Sequence, residues 1–544
     1  MKFDLEHDWQ GNMSTPRKNL GEKTKFNLFI ALTVIWATFG LIGHDPWPPQ
    51  ESETISQIVS IIHDGEIIAP LSASNTYLTT PPLYALIASV FVKILTPLLA
   101  FHDAARLSNL LWLAITLVAV GMSARELLGR GFGRQAGLIF IASIGLILNA
   151  HTLTPEVASL SGFSLCFYSC TLYYRRPFRS SVILGLGLGI LFLAGGFLPF
   201  LAMFFCLVTL YLFSSWRNKR YLTFIGLSSM IAISFIFPWL IIFKKLFPEI
   251  FLLWVQQPIF NNSSSFLYIM EGIAWFTWPA LPLAVSVIYK NYKKCFVDKN
   301  LTLPIIFILS YFILISFKYE QSPISLLPFL VPFSILGTGA IDNLKRGAAS
   351  ALNWFGILIF GFIGIVIWLG WLSSLTSIPY DLYLRIYDAS ANFKIEFSIL
   401  NFLISLAISS LWIFYIIKSK ITNRSMISNW AIGITMIWVI FIMLWGDSFN
   451  NRKSMKSLFT DLKPHLVQSS SCLYSQYLND SQINILHYYT KVKPINYSNN
   501  LQNCKLALIR LQGDNETPAE FKDWREIWTG KRPKDKFYFV LLRE

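Results

Sequence analysis

Long apolar runs separated by short polar gaps dominate the chain up to about residue 446. A helix needs about 20 mostly apolar residues to cross the hydrocarbon core of a bilayer. Runs of this kind fall near 26–43, 82–100, 107–124, 136–150, 157–174, 180–196, 198–214, 221–243, 268–289, 302–317, 322–341, 350–372, 397–417 and 429–446, fourteen candidates in all. So long a series cannot be buried in a water-soluble core, and the pattern predicts an all-α polytopic membrane protein. The first run follows a long polar tail and has no small-residue cleavage site after it, so it reads as a span rather than a signal peptide.

Two stretches have a different rhythm. Between His44 and Arg106, the segment Glu51–Ile62 places Ile55, Ile58, Val59 and Ile62 on one helical face, with Pro48 and Pro49 just before it. This predicts an amphipathic helix lying on the membrane, with Glu51 in its first turn, where the helix dipole favours a carboxylate. Residues 449–544 return to ordinary polarity, and short runs at Cys472–Gln476, Lys505–Leu511 and Phe537–Leu542 predict a small α/β domain.

Charge placement orients the runs. The net charge of the 544-residue chain is +15, which on a soluble protein would suggest a nucleic-acid binder. Only 14% of residues are charged, against about 25% in soluble domains, and the basic ones cluster in gaps between the runs. The clusters are the N-terminal tail (Lys2, Arg17, Lys18, Lys23, Lys25), Arg125/Arg130/Arg134, Arg175/Arg176/Arg179, Arg217/Lys219/Arg220, Lys290/Lys293/Lys294/Lys299, Lys345/Arg346 and Lys418/Lys420/Arg424, 23 residues together. All fall on one side if thirteen runs cross and one run before Arg125 does not. That run is 82–100, which opens with Thr79-Thr80-Pro81-Pro82, is broken by Lys93 and Pro97, and reads as a juxtamembrane segment. The expected organisation is a cytoplasmic tail (1–25), a transmembrane unit (26–448, with the outer loop 44–106) and an outer α/β domain (449–544). Cys472 and Cys504 both lie in that outer domain, where oxidation is permitted, and a disulfide between them is expected. Cys166, Cys170, Cys206 and Cys295 read as small packing residues.

Ionisable groups at outer helix ends are candidates for function, because they are costly near lipid and need partners. One cluster runs His44-Asp45-Pro-Trp-Pro-Pro-Gln50-Glu51-Ser-Glu53, and another is His151-Thr-Leu-Thr-Pro155-Glu156. Lys244, Lys245 and Lys318 form a cationic set. Carboxylates facing cations at a membrane surface suit a lipid phosphate substrate, the cations holding phosphate and a carboxylate taking a proton. The plainer alternatives are solvated loop carboxylates, a turn started by Asp45 before Pro46, lysines that snorkel to headgroups, and histidines in structural hydrogen bonds. No Gly-rich phosphate loop or zinc-ligand spacing occurs.

The same outer loop resembles that of GT-C glycosyltransferases using polyprenyl-phosphate sugars, above all the lipid A aminoarabinose transferase-like enzymes and more distantly the protein O-mannosyltransferases. The resemblance rests on Gln50-Glu51, Asp64-Gly65-Glu66-Ile67-Ile68-Ala69-Pro70, Tyr77-Leu78-Thr79-Thr80-Pro81-Pro82-Leu83-Tyr84, Ala104-Ala105-Arg106-Leu107, Pro155-Glu156, and Lys318-Tyr319 ahead of Leu327-Pro328 and Pro332. It implies a GT-C fold, a periplasmic site in a bacterial inner membrane, an undecaprenyl-phosphate-sugar donor, a lipid or glycan acceptor, and inversion at the anomeric carbon. By the same resemblance Glu51 and Glu156 accept the proton and orient the acceptor, with Asp45 as a further candidate base. Lys318 holds donor phosphate, Lys244 and Lys245 assist, and Tyr77 and Arg106 contact substrate. No cofactor is implied, although a divalent ion on Asp45, Glu51 and Glu156 is an alternative suited to carboxylates. The chain departs from the family at four places: Gln50 replaces an Asp, Glu156 replaces the second Asp and keeps its charge with one methylene more, Thr80 replaces a Lys, and Gly195-Gly196 a Lys-Gly pair. These departures leave a catalytically silent lipid-binding relative as a rival. A transporter is a weaker one, since no Lys or Arg stands inside a span and the acidic residues cluster outside.

Overall fold

The computed structural model describes residues 21–75, 77–258, 266–318, 322–419, 422–467, 472–495, 504–512 and 518–544. The tail residues Lys2, Arg17 and Lys18 and the motif residue Tyr319 lie outside them. Among the described residues, eight helices are long and apolar enough to cross a bilayer. A ninth stretch is the pair Phe266–Phe276 and Ala280–Lys290, bent by 104°. Helical runs at Glu22–Thr38, Phe132–Ile141 with Ile144–Asn149, Glu156–Leu172 and Phe197–Tyr211 account for the rest of the thirteen runs. The run set aside forms the 13-residue helix Leu83–Leu95, which like Phe197–Tyr211 is a shorter apolar helix.

Helix Glu156–Leu172 is the hub of the bundle, buried along nearly its whole length. It lies close against Pro177–Gly195 because glycines meet at the crossing. A Cβ on Gly162 would stand 2.9 Å from the Gly187 carbonyl oxygen, and one on Gly187 3.0 Å from that of Gly162. Small residues permit such close backbone approach where burial of apolar surface from water no longer drives packing. Peripheral helices such as Lys219–Leu246 and Ile399–Lys418 turn Leu, Ile and Phe outward. That is the face expected against lipid.

The last long helix, Asn423–Lys453, opens on a Thr422–Ser425 capping box and continues past its apolar run to Lys453. Beyond it the chain forms a four-stranded sheet in the order β1 (Leu473–Gln476), β2 (Leu506–Gln512), β4 (Phe537–Arg543), β3 (Arg525–Lys531). Strands β1 and β2 are parallel, and the other pairs are antiparallel. The three strand-like runs of the sequence fall on β1, β2 and β4. Strand β3 escaped notice because Arg525-Glu526 and Lys531 break its apolar alternation, as an edge strand allows. Cys472 and Cys504 are joined in a disulfide beside the β1–β2 pair, and the other four cysteines are free and buried.

The amphipathic helix of the outer loop, Ser52–Val59, is not laid on a membrane surface. Seven of its eight residues are buried, including Ser52, Thr54, Ser56 and Gln57 on its polar side. The covering element is the C-terminal helix Asp480–Thr490, itself opened by an Asn479–Gln482 capping box. Ser56 bonds His487 at 2.8 Å, and Asn484 exchanges two hydrogen bonds of 3.0 Å with Ser74. Lys493 pairs with Asp64 and Glu66 at 2.7 and 3.2 Å. A polar face that would have met water thus meets a complementary polar helix.

Candidate active site

Two polar centres occupy the same end of the bundle. The first is a buried knot around Arg106, whose side chain is fully enclosed. Its Nε donates to Glu51 Oε1 at 2.7 Å and its Nη2 to Glu51 Oε2 at 2.8 Å. The remaining N–H groups reach the His44 carbonyl (2.7 Å), Asp103 Oδ1 (3.1 Å) and the Asp45 carbonyl (2.9 Å). Glu51 also accepts from the Trp47 and Leu153 amides, each at 2.8 Å. Arg106 therefore uses all five donors, and both Glu51 oxygens accept two bonds each. Burial alone would raise the Glu51 carboxyl, but the Arg106 charge and these bonds outweigh it and hold it down at about 2. His44 is pushed down to about 4, first by burial and then by the nearby Arg106 charge. It stacks on Trp47 and bonds the Asp45 and Gly40 carbonyls.

The second centre is a cavity of about 110 Å³ among the ends of several helices. Glu156, the first residue of the hub helix, lines it together with Lys318, just past the end of Lys299–Ser316. Thr80, Ser159, Gly195, Tyr311 and Ser325 complete the polar and open parts of its wall. Lys318 donates to Ser325 Oγ at 2.8 Å, and the Tyr311 hydroxyl donates to the Ser325 carbonyl at 2.8 Å. Lys318 is near enough for its charge to act on the Glu156 carboxyl. Among the described residues, no other residue hydrogen-bonds that carboxyl. A cation and an uncommitted carboxyl in one small cavity form a pair able to hold phosphate and accept a proton.

No family model matches this sequence, and no curated protein matches it. Among solved structures, ArnT from Cupriavidus metallidurans bound to undecaprenyl phosphate aligns with a TM-score of 0.69 at 15% identity, over 96% of this chain and 98% of that one. The same protein in the apo state aligns at 0.69 and 16% identity, over 95% and 98%. This is a GT-C fold.

Within the GT-C frame the sequence-derived candidates separate into groups. Glu156 and Lys318 come together in the cavity, and so do Thr80 and Gly195, two of the positions where the chain departs from the family pattern. Glu51 and Arg106 are spent on each other. Assigned from the sequence to proton transfer and substrate contact, they have neither lone pair nor donor left for a ligand. Asp45 faces the last long helix, its carboxylate accepting from Asn450 (3.2 Å) and Ser454 (2.9 Å) with Lys456 at 3.5 Å. Asp45, Glu51 and Glu156 accordingly form no common ligand set, and no cluster of three or more metal-ligating side chains occurs among the described residues. Gln50 and Tyr77 are exposed and do not line the cavity. Lys244 and Lys245 lie exposed at the end of Lys219–Leu246, away from it. His151 is buried and bonds the Trp36 and Ile147 carbonyls, a structural role.

Sequence reasoning missed Ser159, Tyr311 and Ser325. Ser159 was within reach, because it lies three residues after Glu156 on the same helical face. Tyr311 and Ser325 carry no local signal and enter the cavity only through packing.

Proposed function

We propose that this chain is an integral-membrane glycosyltransferase that moves a sugar from a polyprenyl-phosphate donor to a lipid A-like lipid or a cell-envelope glycan. We place the reaction on the periplasmic face of a bacterial inner membrane, with the N-terminus cytoplasmic and residues 449–544 outside. The observation that carries the reading is the meeting of Glu156 and Lys318 in one cavity. It is supported by the likeness of the fold to ArnT, which was solved with undecaprenyl phosphate.

In this mechanism the acceptor hydroxyl attacks the anomeric carbon from the face opposite the phosphate. As the new C–O bond forms, Glu156 takes the hydroxyl proton. The sugar–phosphate C–O bond breaks, its electron pair stays on the phosphate oxygen, and Lys318 stabilises the charge that builds there. The configuration inverts. Glu51 and Arg106 act at a distance by bracing the loop that carries Thr80.

One observation favours a second reading. Thr80 and Gly195, both standing where the resembled family has lysine, line this same cavity and leave Lys318 as its one cationic lining residue among those described. A catalytically silent relative that binds polyprenyl lipid would have such a site. The separating experiment is mass spectrometry of envelope lipids and glycans from cells with the wild-type chain, Glu156→Gln, or none. A hexose- or pentosamine-sized mass difference that needs Glu156 supports transfer. Identical profiles in all three support the silent relative.

A further inference from the structure

A continuous chain of contacts links the C-terminal helix Asp480–Thr490 to the cavity wall. The Ser56 hydroxyl oxygen accepts the Ala73 amide N–H at 2.9 Å and is hydrogen-bonded to His487 Nδ1, 2.8 Å away. One residue on, Gln57 donates to Thr79 Oγ1 at 3.3 Å, and Thr79 in turn donates to Glu53 of the same helix. Thr80, the next residue, lines the cavity with Glu156 and Lys318. We propose that His487 is a positioning residue: through Ser56 and the helix Ser52–Val59 it sets the Thr80 wall of the cavity, so the C-terminal unit controls how closed the site is.

His487 is 2% exposed. The charged and titratable groups acting on it are Lys493 and Lys491 from its own side, and Asp64 and His63 from the loop. Lys493 is already engaged with Asp64 and Glu66. A proton on His487 therefore adds a positive charge beside two lysines, with their nearest carboxylates already paired. Acid should release the helix Ser52–Val59 and loosen the Thr80 wall.

This inference deepens the transferase reading and rests on it for its consequence, but its test needs no substrate. A Thr80→Cys protein in nanodiscs is labelled with a membrane-impermeant maleimide, each rate normalised to the denatured protein at the same pH. Background is low, since four native cysteines are buried and the other two are bonded. With His487 intact, labelling should be slow at pH 7.5 and rise on the order of tenfold by pH 5. His487→Ala should raise the pH 7.5 rate about fivefold, the population equivalent of one hydrogen bond. His487→Asn puts an uncharged amide, able to donate or accept, where Nδ1 stood, so it should restore slow labelling and abolish the acid rise. Equal rates in all three proteins, or His487→Asn behaving like His487→Ala, overturn the inference. Undecaprenyl phosphate binding, measured in parallel by native mass spectrometry, separates the two readings. If labelling follows residue 487 but not even the intact protein binds that lipid, the donor assignment fails and the positioning role stands.

Discussion

Replacing Glu51 by glutamine exchanges one oxygen for an NH2 group and barely alters shape, yet it should cut deeply into the order of the outer loop. Glu51 accepts four hydrogen bonds, from Arg106 Nε and Nη2 and from the Trp47 and Leu153 amides. Glutamine can accept only at its remaining oxygen, so two of the four donors lose their acceptor at about 1–3 kcal/mol each. The enclosed guanidinium also loses its main counter-charge, which costs about 3–5 kcal/mol where nothing replaces it. Asp103, 3.1 Å from Nη1, offsets part of that loss. These terms overlap, and a net cost of about 4 kcal/mol is expected. If loop opening is sub-global, the Trp47 and Leu153 amides should lose about three decades of hydrogen-exchange protection. The measurement is peptide-resolved exchange on protein in nanodiscs, wild type against Glu51→Gln. Unchanged protection at both amides, with sugar transfer abolished, would refute the structural assignment and return Glu51 to the role of base.

Other outcomes follow from the same geometry. Glu156→Gln should lower transfer by about 10²–10⁴-fold, and Lys318→Met by about a hundredfold, in reconstituted protein assayed by product mass. Glu156→Gln should leave the melting temperature unchanged, because no other described residue hydrogen-bonds that carboxyl. Cys472→Ser should destabilise the C-terminal unit by about 3–4 kcal/mol, the chain-entropy value for a 32-residue separation. Thermal melts of the full chain with and without reductant should show this as a loss confined to that unit. Burial, and then the Lys493 charge, hold His487 down to about 4 from an ordinary 6.5, and burial likewise lowers His44 to about 4. The open chain therefore binds more protons than the folded one between these values. Stability from both groups is complete above about pH 6.5 and is lost as pH falls toward 4, which a pH series of denaturation midpoints should follow.

Much of the architecture was legible in one dimension. Hydropathy over about 20 residues is a local sum, and the bilayer's thickness turns that sum directly into helices. The class of the protein and the positions of its apolar runs needed nothing more, whereas setting 82–100 aside also used the one-sided placement of Lys and Arg, and the strands around Cys472 and Cys504 came from short β-like runs. Glu156 and Lys318 could also be singled out, since ionisable residues at the ends of apolar runs are conspicuous. What each group does was decided by folding, because charge chemistry depends on partners that no local window contains. Glu51 looks like a base beside a proline turn, and only Arg106, 55 residues away, makes it a brace. The helix Ser52–Val59 looks like a membrane-surface helix until His487, 431 residues beyond Ser56, covers its polar face. A carboxylate is reactive or structural according to how many of its lone pairs are already taken, and that count exists only in three dimensions.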